Sequence, residues 1–199
     1  MSDKDEPRFD VRIKVHDLYL IILWDTNYFP GHEESKRICG VRIADSLFSI
    51  EAFASNSKPE YAIAQALAEK VRPVLSDNLK AVEDDMKQSL SALTEELTDP
   101  LIKAMDIVTP AQTEYPLTIK EGKGTPLVNA FVRLFVIADL IVASLKELHF
   151  KGAISKKDWK KREDRYIKPL RKLMHDMNQT IKLYHEQRKS LTYAVRDTT

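Results

Sequence analysis

Arg12, Lys14 and His16 stand at alternate positions in a run whose other members, Val11, Ile13 and Val15, are apolar. Residues two apart in an extended strand share a face. A strand here puts three polar side chains on one side and three apolar ones on the other. A two-stranded antiparallel ribbon fits the major groove of DNA, and side chains at alternate positions then point at base edges. Arg and Lys suit O6 and N7 of guanine. A second run, Glu114 to Lys120, alternates in the same way. Tyr115, Leu117 and Ile119 share one face; Pro116, Thr118 and Lys120 share the other. Thr118 and Lys120 offer the same groove chemistry, although Pro116 lacks a ladder donor and restricts this strand to an edge or a strand start. For both runs the plainer reading is a solvated strand face. The two strands can also pair with each other, within one chain or between two.

A second kind of chemistry lies further on. Ser155, Lys156 and Lys157 open a strongly basic segment. At a helix N-terminus, free backbone amides and the helix dipole favour a phosphate. Lys160, Lys161, Arg162, Arg165, Lys168 and Arg171 add charge that can neutralise further phosphates. Such contacts position a protein on DNA without reading its sequence. The competing reading is a solvated face on an amphipathic helix, with Trp159, Tyr166, Leu170 and Leu173 as the buried stripe.

No catalytic signature accompanies these residues. His16, His32, His149, His175 and His185 lack the spacing of a zinc-binding helix, and no phosphate-binding or nucleophile-elbow glycine motif is present. Glu83, Asp84 and Asp85 are adjacent, so a helix splays them onto different faces. The expectation is a binding protein with no cofactor, and not an enzyme.

The elements that must position these residues follow from composition and periodicity. The 199 residues include only five glycines and are 43% hydrophobic, which favours long helices around a real core. The net charge of +1 hides segregation. Seven acids stand against Lys80 and Lys87 between Ser76 and Asp99, whereas nine Lys or Arg stand against three acids between Lys156 and Lys172. A near-neutral total does not exclude a basic patch. Cys39 is the sole cysteine, so there is no internal disulfide and no Cys-based zinc site. With an acidic, polar opening (MSDKDEPRF), this points to the cytoplasm.

From Phe131 to Leu145 only Arg133, Asp139 and Ser144 interrupt the apolar residues. A helix apolar nearly all round must be covered on every side. It is read as a core helix over 125–151 and not as a membrane span, with Thr125 as cap, Pro126 at its first position and Gly152 beyond its end. Arg133 and Asp139 should make buried hydrogen bonds or a pair across an interface. A twin subunit would help to cover such a helix, so a homodimer or higher homo-oligomer is expected. Residues 1–8 read as a flexible tail, and residues 9–199 as a single α-rich domain: strand plus helices over 9–110, then strand-helix-helix over 113–190. Within it, Asp17 to Tyr28 is a short helix capped by Asp17 or a buried strand, ended by Pro30-Gly31. Residues 33–55 form an amphipathic helix with Ile38, Val41, Ala44, Leu47, Phe48 and Ala52 along one stripe, weakened by Gly40. A helix starting near Ser57 to Glu60 runs to about Val71, where Pro73 kinks or restarts it, and another spans about Asp77 to Leu97. Pro100 and Pro110 bracket a short helical piece. Ser155 caps the basic helix, which Pro169 should bend.

The strand Pro116 to Ile119 (PLTI), the run Gly124 to Phe131 (GTPLVNAF), the apolar Ala138-Asp139-Leu140 and the basic continuation past Trp159 to Leu170 and Arg171 together carry a likeness. So does Ile13 to His16 with the apolar block after it. The chain resembles the AcaB-like proteins of conjugative plasmids and integrative conjugative elements over most of its length. The resemblance implies a dimeric transcriptional activator of conjugation genes that raises expression of the master activator of transfer. It implies a mainly α fold with a short β-ribbon, a ribbon-helix-helix-like DNA-binding core with additional long helices. In that architecture each subunit gives one strand to a ribbon in the major groove of promoter DNA, and a helix N-terminus in each subunit grips a flanking phosphate. The first strand has the better base-reading side chains. The second has the clearer strand-helix-turn-helix order. On either choice the partner is double-stranded DNA. The rival reading is a helical adaptor of the transfer machinery with no specific DNA binding.

Overall fold

The computed structural model describes residues 10–29, 38–108, 112–119 and 122–196. The expected tail over 1–8, the Pro30-Gly31 break, the first part of the helix expected over 33–55, Pro110 and Lys120 lie outside the described residues. The fold is mainly helical with one two-stranded antiparallel sheet: β1 (Val11–Val15), α1 (Leu18–Trp24), α2 (Gly40–Ala54), α3 (Ala62–Leu97), α4 (Pro100–Lys103), β2 (Tyr115–Ile119), α5 (Pro126–Phe150) and α6 (Lys156–Arg196).

Asp17 settles the ambiguity of the segment after β1. Its Oδ1 accepts the N–H of Tyr19 at 2.9 Å, so the apolar block is a helix entered through an Asp cap. Gly40 opens α2 because its Cα lies against Trp24, where a Cβ would run into the indole. Ile43, Ala44, Leu47, Ile50 and Ala54 form the buried stripe of α2. Ala52, expected on that stripe, is exposed, while Val41 and Phe48 pack at its edge.

Pro73 does not restart a helix; it lies inside one. Residues 62–97 form one helix of 36 residues, about 54 Å long. Proline deprives the carbonyl four residues back of its donor. Pro73 and Glu69 both lie on the exposed face, where water can take that role, and buried Ala68, Leu75 and Leu79 hold the helix to the core on either side. A 3-10 turn at Pro59–Tyr61 precedes it, so the helix start expected near Ser57 to Glu60 lies a few residues later.

α5 is the centre of the molecule. It packs against α3, α6, α2, α1 and β1. By length and composition it could cross a bilayer, but in this fold it is a core helix. Phe131 and Phe135 meet Trp24 with ring centroids 6.0 and 5.1 Å apart, tying α5 to α1. Thr125 occupies the cap position without a side-chain cap bond. The Glu51 carboxylate of α2 accepts the N–H of Leu127 instead, at 3.2 and 3.3 Å. α5 ends as its sequence implies. Gly152 has φ +74°, the left-handed conformation glycine adopts freely, and the N–H of Ala153 returns to the carbonyl of Leu148 at 2.9 Å.

Candidate nucleic-acid interface

β1 and β2 pair with each other within one chain, antiparallel, with Arg12 opposite Thr118 and Lys14 opposite Pro116. The alternation places Val15, Leu117 and Ile119 in the core, with Val11, Ile13 and Tyr115 packed against it. Arg12, Lys14 and Pro116 are exposed on the opposite face, and Thr118 is half-buried there. The pairing joins two segments 100 residues apart, and neither strand waits for a second subunit to complete this ribbon.

The outward residues differ in freedom. Arg12 makes no ion pair among the described residues. Lys14 is bonded to Glu114, which holds the Glu114 carboxyl below its ordinary range. His16 is committed elsewhere. Its Nδ1 donates to Asp139 Oδ2 at 2.8 Å, and its backbone N–H donates to Asp139 Oδ1, also at 2.8 Å. The N–H of Asp17 reaches the same oxygen at 3.2 Å, and Asp17 Oδ2 accepts from Lys146 at 3.2 Å. The carboxylate inside the apolar helix is therefore the anchor for the end of β1. His16 serves as a structural joint between ribbon and core.

Arg133 is exposed rather than buried. It reaches from α5 to the buried Glu83 of α3 at 3.0 Å. The Glu83 carboxyl is held below its ordinary value first by that hydrogen bond and then by Lys87 at 2.6 Å.

At the start of α6, Ser155 Oγ accepts the N–H of Asp158 at 3.1 Å and donates to Asp158 Oδ2 at 2.6 Å. This is a reciprocal cap of the Ser-x-x-acid kind. It confirms the helix start but places a carboxylate in the first turn, where a phosphate was expected beside Lys156 and Lys157. Further along, Lys160 pairs with Glu163 at 2.9 Å and Arg162 with Glu96 of α3 at 2.7 Å. Arg171 pairs with Asp164 and donates to Tyr19 OH at 3.4 Å. Hydrogen bonds to those carboxylates raise the pKa of Arg162 and Arg171 further. Lys156, Lys157, Lys161, Arg165, Lys168 and Lys172 are exposed, with no ion pair among the described residues. No group of three or more His, Cys, Asp or Glu side chains converges as a metal site among the described residues.

The carboxylates Glu114, Glu96 and Asp164 were invisible as partners in the sequence, because each pairing depends on how distant elements pack or how a helix face turns. Asp139 did leave a signal: a lone acid in an apolar run must have a built-in set of donors.

No family model matches the chain, and no curated protein matches it. A solved structure does: selenomethionine-containing AcaB from uropathogenic E. coli superposes with a TM-score of 0.68, covering 94% of this chain and 85% of that one at 18% identity. The chain has an AcaB-like fold. With 94% of this chain covered, the likeness concerns the architecture as a whole and not one motif. The AcaB-like fold is mainly α with a short antiparallel ribbon here, and the ribbon is built inside one chain.

Proposed function

We propose that this chain is a sequence-specific DNA-binding regulator that activates conjugative transfer genes as a homodimer in the cytoplasm. The likeness to AcaB across nearly the whole chain carries the reading. It is supported by the outward face of the ribbon, where Arg12 stands opposite Thr118 on a two-stranded antiparallel element of the kind that enters a major groove. In this reading Arg12, with Lys14 and Thr118 beside it, contacts base edges. His16 fixes the ribbon to Asp139. The basic face of α6, which begins at the exposed Lys156 and Lys157, approaches the phosphates. No cofactor and no chemical step are required.

The test is binding of the purified chain to a promoter duplex from its own mobile element, against a scrambled duplex of equal length, across a salt series. A sequence reader keeps a preference on the order of 10³ or more at physiological salt. Arg12→Ala should lower that preference by about tenfold to a hundredfold. Equal, weak binding to both duplexes that collapses with salt would sink the regulator reading.

One observation favours a second reading, a helical adaptor of the transfer machinery. Lys14, Lys160, Arg162 and Arg171 are each neutralised by a carboxylate of the same chain, which lowers the charge offered to DNA. An adaptor would show no preference between the two duplexes.

A further inference from the structure

We propose that the solvent face of α6 from Lys157 to Lys172, rather than the N-terminus of that helix, is the track on which this protein holds a nucleic-acid backbone. The proposal rests on the DNA-binding reading above and names the surface that grips phosphate.

The cations of α6 fall into two sets. Lys160, Arg162 and Arg171 each have a carboxylate partner in the chain. Lys157, Lys161, Arg165, Lys168 and Lys172 have none among the described residues and are exposed. Their spacing of four, four, three and four residues keeps them on one face of a helix. From first to last they span about 22 Å. A duplex carries a phosphate about every 3.4 Å of axis on each strand, so a row of this length can meet several.

The helix N-terminus is a poorer site. Its amide at Asp158 is bonded to Ser155 Oγ, and the Asp158 carboxylate brings negative charge into the first turn. An incoming phosphate would meet a like charge there.

The neighbourhood of the row suits an anion. Arg165, Lys168 and Lys172 edge a groove of about 370 Å³ whose α3 wall, Asn78, Ala81 and Val82, is without charge; its one carboxylate is Asp176, a turn beyond Lys172. Asp164, which also feels the charge of Lys168, is held by Arg171. No large apolar side chain is exposed between residues 157 and 172. Protein partners bind around buried aromatic and apolar anchors. A surface with five unpaired cations and no anchor fits a polyphosphate backbone better.

The experiment is fluorescence anisotropy of the full chain on the promoter duplex and on the scrambled duplex across a salt series. The wild type is compared with a variant carrying Lys161→Gln, Arg165→Gln, Lys168→Gln and Lys172→Gln. Each lost phosphate contact lowers the slope of log K against log salt by about 0.9, so the expected loss is about 3 to 4. Affinity should fall for both duplexes alike, and the ratio between them should stay. Lys168→Gln alone should lower the slope by about 0.9, which keeps the test decisive if the fourfold variant unfolds by circular dichroism. Lys182→Gln with Lys189→Gln, beyond the row on the same helix, should leave the slope unchanged. Specific binding with an unaltered slope in the row variants overturns the track and leaves the regulator reading standing. A wild type that binds neither duplex overturns both; retention on polyglutamate would then assign the row to an acidic protein.

Discussion

The carboxylate of Asp139 and the imidazole of His16 meet at 2.8 Å across 123 residues of sequence. The same carboxylate accepts the backbone N–H groups of His16 and Asp17. Asp139 is only 7% exposed, and it is the fixed point between the central helix and the ribbon. Asp139→Ala would leave both N–H groups without their acceptor, a loss of about 2–4 kcal/mol. The urea midpoint of unfolding measures it. A midpoint equal to the wild type would mean that the ribbon is held by its apolar face alone.

Glu83 confers a pH dependence whose sign follows from its partners. Arg133 first and Lys87 second hold its carboxyl below the ordinary 4.5. A depressed folded pKa stabilises the fold above the unfolded value and ceases to do so as pH falls through the folded value. Arg133→Met should therefore cost stability at neutral pH, on the order of 1 kcal/mol because the guanidinium lies half in water. The difference from the wild type should shrink as the pH is taken below 4.5. Thermal unfolding of both proteins between neutral and acid pH checks this; a gap that stays constant with pH would rule out the pair as its source.

Glu114 masks Lys14 on the outward face of the ribbon. If that face meets DNA, Glu114→Gln frees a cation and removes a repelling charge. Binding to specific and scrambled duplexes should tighten severalfold, and the slope of log K against log salt should steepen by about 0.9. No change in slope would place Lys14 away from the phosphates.

Gly40 has a purely steric task. A Cβ there would enter the indole of Trp24, which is itself packed on Phe131 and Phe135. Gly40→Ala should destabilise by about 1–3 kcal/mol through overpacking, despite the higher helix propensity of alanine. Chemical denaturation gives the value. A stabilised variant would show that the α1–α2 contact yields easily.

Much of the local structure was legible. Alternation marked both strands, Ser155 marked a helix start, and Pro126 with Gly152 bracketed α5, while the run after Asp17 stayed open between helix and buried strand. Each of these signals acts within a few residues, through a side chain that bonds a nearby amide or through a backbone conformation that one residue type favours. Pro73 does not divide α3 because packing outweighs the local rule: the core grips α3 on both sides of a proline whose lost hydrogen bond faces water.

The sequence by itself determined a helical protein with two short strands, a core helix around Phe131 to Leu145 and an excess of positive charge beyond it. Only the tertiary structure decided that the two strands pair with each other in one chain, that His16 belongs to Asp139, and which of the α6 cations are spent on carboxylates. Periodicity and capping are properties of neighbours along the chain. Strand partners and cross-helix ion pairs depend on how elements tens of residues apart come to rest, and that is set by burying the apolar faces together.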